Sequence, residues 1–486
     1  MNRLALSIAA IAVCSLALTV PADAQNAVPR HGISVFGDLK YPAGFSHFGY
    51  VNPNAPKGGT LKVPGLDTFE SIHPFILKGR KEVLAEGLLF DTLMARSFDE
   101  PDSYYGLVAK TVEQPADKSW VAFNIDPRAK FHDGTSITAE DIVFTFNALT
   151  KDGHPRYRIN FRDVDRAEAT SPSRVKFTFK PGTHRDLPTR LASLPVLSKT
   201  YYDKVDFKKT TFDAPLASGP YRIGKFEPGR SITYSRVENY WAKDLPVIRG
   251  RYNFNEITVD YYRDREIMFQ AFFSQQYDFR EDFTSRQWAT QYDKPPVNNG
   301  LVIREVLPDE TPSGVQAFIL NLRREKFQDI RVRTAIDMAF DFEWTNKTLF
   351  YSQYARTNSM FENSSLAAKA PPTAEELVLL EPFRGKVPEE VFTTPFASPQ
   401  SDGSGKLRSS LRKASRLLKQ AGYRVKDGVL TNAAGAPLEI EFLLFEASFK
   451  RIIGPYINNL KRLGIQARIR IVDVANFKRR QDTFDF

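Results

Sequence analysis

The segment 131–149, FHDGTSITAEDIVFTFNAL, constrains the fold more than any other stretch because it prescribes both a tight turn and a helix start. The Asp133 side chain can bond to its own backbone and Gly134 tolerates positive φ, so a turn is predicted there. Thr138 is followed three residues later by Asp141, which is a capping-box spacing, and apolar residues follow at helical intervals. The sequence therefore predicts a turn and then a helix that begins after Thr138.

The first residues, 1–24, have the pattern of a secretory signal peptide. Arg3 precedes an apolar run that extends to Val20, and residues 22–24 form an A-x-A cleavage site. We expect cleavage before Gln25 and export to the periplasm. A transmembrane anchor is the alternative, but the run is short for a span and contains polar residues.

The mature chain expected after this cleavage has no cysteine chemistry. Cys14 is the single cysteine of the sequence and lies in the apolar run. It could instead accept a lipid, although Val13 stands before it in place of a small residue. Once Cys14 is removed, no thiol is left for a disulfide, a thiolate metal site or a cysteine nucleophile.

Length and charge indicate a large exported protein rather than a nucleic-acid binder. Residues 25–486 are enough for two or three domains. The formal net charge is +10, but nearly as many acidic residues are scattered among the basic ones. The basic cluster at 406–416 lacks interleaved aromatic residues, so we interpret it as the solvated side of a helix and expect no nucleic-acid partner.

The sequence contains no familiar catalytic motif. Its six histidines form neither an H-E-x-x-H motif nor a paired metal-ligand spacing. It has no G-x-S-x-G elbow, no Walker loop and no G-x-G-x-x-G after a strand. We therefore expect no metal, no cofactor and no enzymatic activity, with a two-carboxylate hydrolase as the alternative.

Periodicity predicts strands in the middle of the chain and a βαβ unit near its end. Apolar residues alternate with polar ones at 121–125 and 175–179, and 318–322 is predicted as an apolar strand. The stretch 407–421 has the spacing of an amphipathic helix. Residues 438–474 alternate strand, helix and strand patterns, which predicts a parallel pair of strands joined by a helix.

Three segments, in the same order along the chain, resemble the family 5 extracellular solute-binding proteins, the peptide, nickel and oligopeptide receptors of ABC importers. The segment 131–149 is similar to the family pattern F-x-D-G-x-x-x-T-A-x-D-V-x-[FY], with Ile142 in place of valine. Residues 219–221 and 240–241 resemble its GPY and YW elements. The segment 318–341 resembles its N…PFxDxRVRxAixxAxD block.

The resemblance implies an α/β fold, a two-lobed periplasmic binding protein of class II type with an extra β-rich subdomain in lobe one. We expect a discontinuous lobe one at 25–74 and 200–305, the β-rich subdomain at 75–199, and lobe two at 306–486. The opening segment, 31–59, resembles the Yej-type branch of peptide receptors.

The same resemblance implies a receptor that closes on an oligopeptide or a similar solute and delivers it to an inner-membrane ABC permease and ATPase. We expect a monomer. Two alternatives stay open: a secreted hydrolase, and an envelope-binding or chaperone-like protein on the same scaffold.

Positions in the family pattern suggest ligand contacts. The candidates are Phe75, Lys78, Gly219, Tyr221, Asn321, Arg479 and Arg480. The two arginines lie just before the place where peptide-binding relatives present an arginine to the ligand's carboxylate, a task that suits its bidentate geometry. Each candidate also has a structural interpretation, as part of a surface loop, a strand entry, a strand cap or a solvated helix end.

The segment 481–486 resembles the beginning of a family strand, after which relatives continue through an acidic residue that holds a peptide's amino terminus. We therefore expect a truncated product with an incomplete lobe two. Missing strands would leave unpaired sheet edges, which predicts poor folding or weak binding of this chain alone.

Overall fold

The computed structural model describes residues 27–182, 185–308, 312–445 and 447–486. They form two units, unit one up to Arg280 and unit two from Glu281 onward. Both contain helices and strands, which confirms the α/β class. Within the part of the chain described, no helix is long and apolar enough to cross a membrane.

Two sequence-based expectations concern the N-terminus and the domain boundaries. The signal peptide at 1–24, including Cys14, lies outside the described residues. The division between the units falls at 280 and 281. The finer lobe and subdomain boundaries stay predictions.

The strands of unit one form separate sheets. They are β1 (Gly32–Ser34), β2 (Thr60–Leu66), β3 (Met94–Arg96), β4 (Ser103–Gly106), β5 (Ala109–Glu113), β6 (Trp120–Ile125), β7 (Val164–Ser171), β8 (Arg174–Phe179), β9 (Tyr221–Glu227), β10 (Ser231–Arg236) and β11 (Glu256–Tyr262). The sheet orders are β1-β4-β3, β2-β11-β10-β9 and β5-β6-β8-β7. Strands β2 and β11 are parallel, and the other neighbours are antiparallel.

Helices of unit one cover these sheets. They are α1 (Ala85–Leu89), α2 (Ala139–Asp152), α3 (Pro155–Asn160), α4 (Leu187–Ala192), α5 (Lys199–Tyr202) and α6 (Arg265–Phe273). Helix α2 packs on β7 and β8, where the Phe146 and Phe177 rings meet edge-on with centroids 5.4 Å apart. This contact belongs to a continuous buried core.

The prediction for 131–149 is confirmed. Gly134 has a φ of 86° in the predicted turn, and α2 begins directly after Thr138. The Asp141 carboxylate accepts hydrogen bonds from the Thr138 backbone N–H, at 2.9 Å, and from the Thr138 hydroxyl, at 2.8 Å. Its other oxygen accepts the Lys199 backbone N–H at 2.9 Å, so the cap also fixes the start of α5.

Unit two has a smaller core around a parallel pair of strands. Its strands are β12 (Arg424–Lys426), β13 (Val429–Thr431), β14 (Glu439–Leu444) and β15 (Gln466–Ile471). Its helices are α7 (Ser285–Thr290), α8 (Pro295–Asn298), α9 (Ile330–Asp337), α10 (Phe342–Leu349), α11 (Ala374–Leu380), α12 (Arg408–Gln420), α13 (Lys450–Arg462) and α14 (Val474–Asp482), with 3₁₀ turns at Glu325–Phe327, Glu381–Phe383 and Glu389–Phe392.

The predicted βαβ unit is confirmed, and so is the helix predicted at 407–421. Strands β14 and β15 pair in parallel from Glu439 opposite Gln466 to Leu444 opposite Ile471, with α13 between them in the chain. Helix α12 packs on α9 and buries Leu411 in the same core.

The strand predicted at 318–322 is wrong. These residues form no regular strand in the structure. The Phe318 ring instead packs against the rings of Phe442, at 5.3 Å, and Tyr456, at 5.7 Å between centroids. The apolar run therefore reflects packing onto a core rather than pairing in a sheet.

Candidate ligand-binding site

The structure places the seven candidate residues in two groups. Phe75, Lys78, Gly219 and Tyr221 lie in unit one, and Asn321, Arg479 and Arg480 lie in unit two.

Gly219 joins three segments of unit one that are distant in sequence. Its backbone N–H donates to the Leu89 carbonyl at 2.7 Å, and its own carbonyl accepts Nε2–H of His132 at 2.8 Å. A Cβ atom at this position would lie 2.6 Å from the Leu89 carbonyl carbon. Burial lowers the pKa of His132 despite the opposing effect of this hydrogen bond. Two of the sequence motifs therefore touch at Gly219, and the glycine is required by a close backbone approach.

Asp91 is a buried acceptor that sequence reasoning missed. Its carboxylate accepts the Tyr240 hydroxyl at 2.5 Å and the Trp241 indole N–H at 2.8 Å. Its backbone N–H donates to the Ser218 hydroxyl at 3.3 Å. Burial raises the pKa of Asp91 to about 7, and the three hydrogen-bonding side chains oppose this rise. A lone acid in the apolar run LLFDTLM was the available signal.

Two of the other three candidates of unit one, Phe75 and Tyr221, contact residues of unit one itself. The Phe75 ring is buried against Phe90 with centroids 4.9 Å apart, and the buried Tyr221 donates its hydroxyl to the Phe254 carbonyl at 2.8 Å. Lys78 is exposed. Ligand contact by these residues stays a prediction.

A polar cavity of about 330 Å³ lies in unit two on the outward side of the β14–β15 pair. It is lined by Glu441, Arg470, Asn476, Arg479, Arg480 and Asp485. Strand alternation explains part of this set, because Ile440 and Phe442 point into the core and Glu441 therefore points outward. Helix α14 supplies the other side, and its first turn is capped by Asp473, which accepts the Asn476 N–H at 2.9 Å.

Arg480 is neutralised within this cavity. Its guanidinium lies 3.0 Å from a Glu441 oxygen and 3.0 Å from a carboxylate oxygen of Asp485. Glu441 also accepts Arg468 at 3.0 Å. Burial raises the pKa of Glu441, but the hydrogen bonds from Arg480 and Arg468 outweigh it and hold this pKa below its usual value. The carboxylate therefore stays ionised and the Arg480 side chain, 15% exposed, is held in place.

Arg479 and Arg470 have no acidic partner among the residues that the structure describes. Arg479 donates to the Asn476 side-chain oxygen at 2.8 Å, one turn earlier on α14. The Arg470 side chain forms no hydrogen bond or ion pair with any residue the structure describes. Both guanidiniums are exposed at the cavity. They are the groups in this cavity that can accept an anion without breaking an existing ion pair.

Asn321 is connected to the same region through the segment 484–486. Its amide nitrogen donates to the carbonyls of Phe484, at 2.7 Å, and Phe486, at 3.1 Å. Arg480 donates to the Asp485 carbonyl at 2.8 Å. The three candidates of unit two are therefore neighbours, which their spacing in sequence does not show.

Comparison with known proteins identifies the family. Residues 103–486 match the sequence profile described as "Bacterial extracellular solute-binding proteins, family 5 Middle". The chain is a family 5 solute-binding protein. Members of this family are the non-enzymatic binding components of ABC importers and are extracellular or periplasmic. The predicted family and the two-lobed family fold are thus confirmed.

Relatives of this family 5 protein include a Yej-type receptor, as predicted. The chain is 40% identical over 489 residues to the "Probable peptide-binding protein YejA" of Agrobacterium fabrum, covering 98% of this chain and 79% of that protein. It is 36% identical over 484 residues to the "Peptidoglycan-binding protein YepA" of the same organism, covering 96% and 78%.

A solved structure of similar fold is that of the oligopeptide-binding protein AppA from Bacillus subtilis in complex with a nonapeptide. The TM-score is 0.62 at 18% identity, over 87% of this chain and 77% of AppA. At this identity the likeness concerns the fold.

Proposed function

We propose that this protein binds oligopeptides or peptide-containing solutes in the periplasm and presents them, as a monomer, to an ABC permease and ATPase. The observation that carries the proposal is the pair of guanidiniums, Arg479 and Arg470, which line a polar cavity and have no acidic partner in the described part of the chain. A peptide's terminal carboxylate is a planar anion that an arginine can bind with two parallel hydrogen bonds.

Peptide is favoured over other anions by the relatives. A protein that is 40% identical over nearly the whole chain is named a probable peptide-binding protein. A neutralised Arg480 beside a free Arg479 also suits a ligand with a single carboxylate, because a highly charged anion would gain more from a site without Glu441 and Asp485.

Peptidoglycan fragments are a second candidate ligand. The relative named a peptidoglycan-binding protein is 36% identical over 484 residues. The stem peptides of peptidoglycan end in carboxylates, so the same arginines would serve. Sugar-bearing and sugar-free versions of one stem peptide distinguish the two candidates by titration calorimetry.

Replacing Arg479 with alanine is expected to weaken binding of a short free-acid peptide by about tenfold or more, because a charge-assisted pair is lost. The measurement is calorimetric titration of the full chain with short peptides, each as a free acid and as its C-terminal amide. Wild type should prefer the acid, and R479A should lose most of this preference, with Arg470 accounting for what remains. R479K should keep part of the preference.

Lys478→Ala is the matched control. Lys478 lies next to Arg479 on α14 but pairs with Asp482 and does not line the cavity. It should leave the preference for the acid unchanged. If R479A keeps the full preference, the carboxylate is bound elsewhere and the role of Arg479 is refuted. If mass spectrometry detects cleavage of the peptides during the titration, the hydrolase alternative is supported.

A further inference from the structure

Helix α12 carries a basic face with no acidic residue. Its sequence is RSSLRKASRLLKQ. Leu411, Ala414 and Leu418 are buried on the side that packs into unit two. The exposed basic residues are Arg408, Arg412, Lys413, Arg416 and Lys419.

Four of these cations form one straight row. At about 100° per residue, positions 408, 412, 416 and 419 fall within an arc of roughly 80°. At 1.5 Å per residue they extend over about 16 Å along the helix. The row lies away from the buried side, so all four side chains reach solvent in a similar direction.

The fold leaves this row without counter-charges. None of the five basic side chains of α12 forms an ion pair or donates a side-chain hydrogen bond to any part of the chain that the structure describes. Some other exposed arginines of unit two do have an acidic partner, such as Arg331 with Asp329 at 2.6 Å and Arg468 with Glu441 at 3.0 Å. The basic row is therefore available to an external anion.

The row also destabilises the helix on which it lies. Arg408, Arg412 and Arg416 are like charges four residues apart, a spacing that destabilises a helix. Arg408 lies in the first turn, where the helix dipole disfavours a cation. Leu407, at the N-cap, has a φ of 48° and makes no side-chain capping bond. Such local conflicts are expected where a sequence serves binding rather than stability.

We propose that this basic row binds an anionic phospholipid surface. A straight row of flexible cations, on a helix whose sequence has no aromatic residue, fits a flat array of phosphate headgroups better than a shaped ligand. The apolar side of α12 is buried in the core, so the contact is electrostatic and does not insert into the membrane. This inference does not depend on the proposed peptide ligand.

The test is co-sedimentation of the full chain with phosphatidylglycerol/phosphatidylcholine vesicles. Wild type should bind in low salt, release as salt is raised, and ignore pure phosphatidylcholine vesicles. The variant R408Q/R412Q/R416Q/K419Q should bind the anionic vesicles at least about tenfold more weakly. R408K/R412K/R416K should bind like wild type, because only charge is needed.

The matched control, K204Q/K208Q/K225Q/K243Q, removes the same four charges from exposed positions scattered over unit one. It should bind within about twofold of wild type. Circular dichroism of each variant establishes folding. The proposal is overturned if the helix variant and the control bind equally, if neutral vesicles bind as well as anionic ones, or if wild type binds acidic polypeptide but not anionic vesicles.

Discussion

Replacing Gly219 with alanine is expected to lower the free energy of unfolding of the full chain by about 3 kcal/mol. The added Cβ would lie 2.6 Å from the Leu89 carbonyl carbon and 2.7 Å from the Leu88 oxygen, both backbone atoms. The backbone at Gly219 cannot move away from Leu89 without losing hydrogen bonds, because Gly219 donates to the Leu89 carbonyl and accepts the His132 N–H. Relief of the clash therefore breaks a contact between two motifs. Urea unfolding followed by tryptophan fluorescence measures the change.

Gly87→Ala is the matched control because it adds the same methyl group to the neighbouring helix α1. A Cβ at Gly87 would meet nothing within 4 Å, and alanine favours the helix. This variant should be as stable as wild type or slightly more stable. If both variants unfold at the same urea concentration, the close approach at Gly219 does not limit stability.

Local parts of the fold could be predicted because neighbouring residues encode them. The turn at Gly134 and the Thr138–Asp141 cap depend on contacts within a few residues, so a pattern of spacing is enough. The same holds for the β14–α13–β15 unit, whose apolar periods differ clearly between strand and helix.

Contacts between distant segments could not be predicted in the same way. Motif position predicts that Gly219 and Tyr221 contact a ligand. In the structure, Gly219 contacts Leu89 and His132, and Tyr221 donates to Phe254. No short sequence pattern connects these partners to the two residues. The apolar residues 318–322 met the criteria for a strand, but periodicity cannot say whether a pairing partner is present.

The sequence predicts that arginines line the candidate site, but it does not predict which of them are paired with acidic residues. The sequence predicts a role for both adjacent arginines, but Glu441 and Asp485 neutralise Arg480, whereas Arg479 donates to Asn476 and has no acidic partner among the described residues. Arg470 was not selected, although its alternation with Arg468 on β15 puts both on the outward face with Glu441. Which arginine is free depends on acids from another strand and from the segment after α14.

Replacing Asp91 with alanine is expected to lower the free energy of unfolding by about 4 kcal/mol, because the buried Tyr240 hydroxyl and the half-buried Trp241 indole N–H lose their acceptor. The Tyr240 hydroxyl and the Trp241 indole N–H would both lose the carboxylate that accepts them. Urea unfolding of the full chain measures the loss. A loss below about 1 kcal/mol would mean that both donors find other acceptors.

Asp91 should also make stability depend on pH, in a direction opposite to that of an ion-paired carboxylate such as Glu441. Burial raises the folded-state pKa of Asp91 to about 7, above the unfolded value of about 3.9, so the folded state binds more protons between these values. The free energy of unfolding of wild type should therefore fall as pH rises from about 4 to 7, by on the order of 4 kcal/mol.

D91N is the control, because its amide does not titrate and so lacks this contribution. Subtracting the unfolding free energies of D91N from those of wild type at each pH removes the effect of all other titrating groups. Parallel pH curves for wild type and D91N would refute a protonated Asp91, because a carboxylate held ionised by its donors adds no such slope.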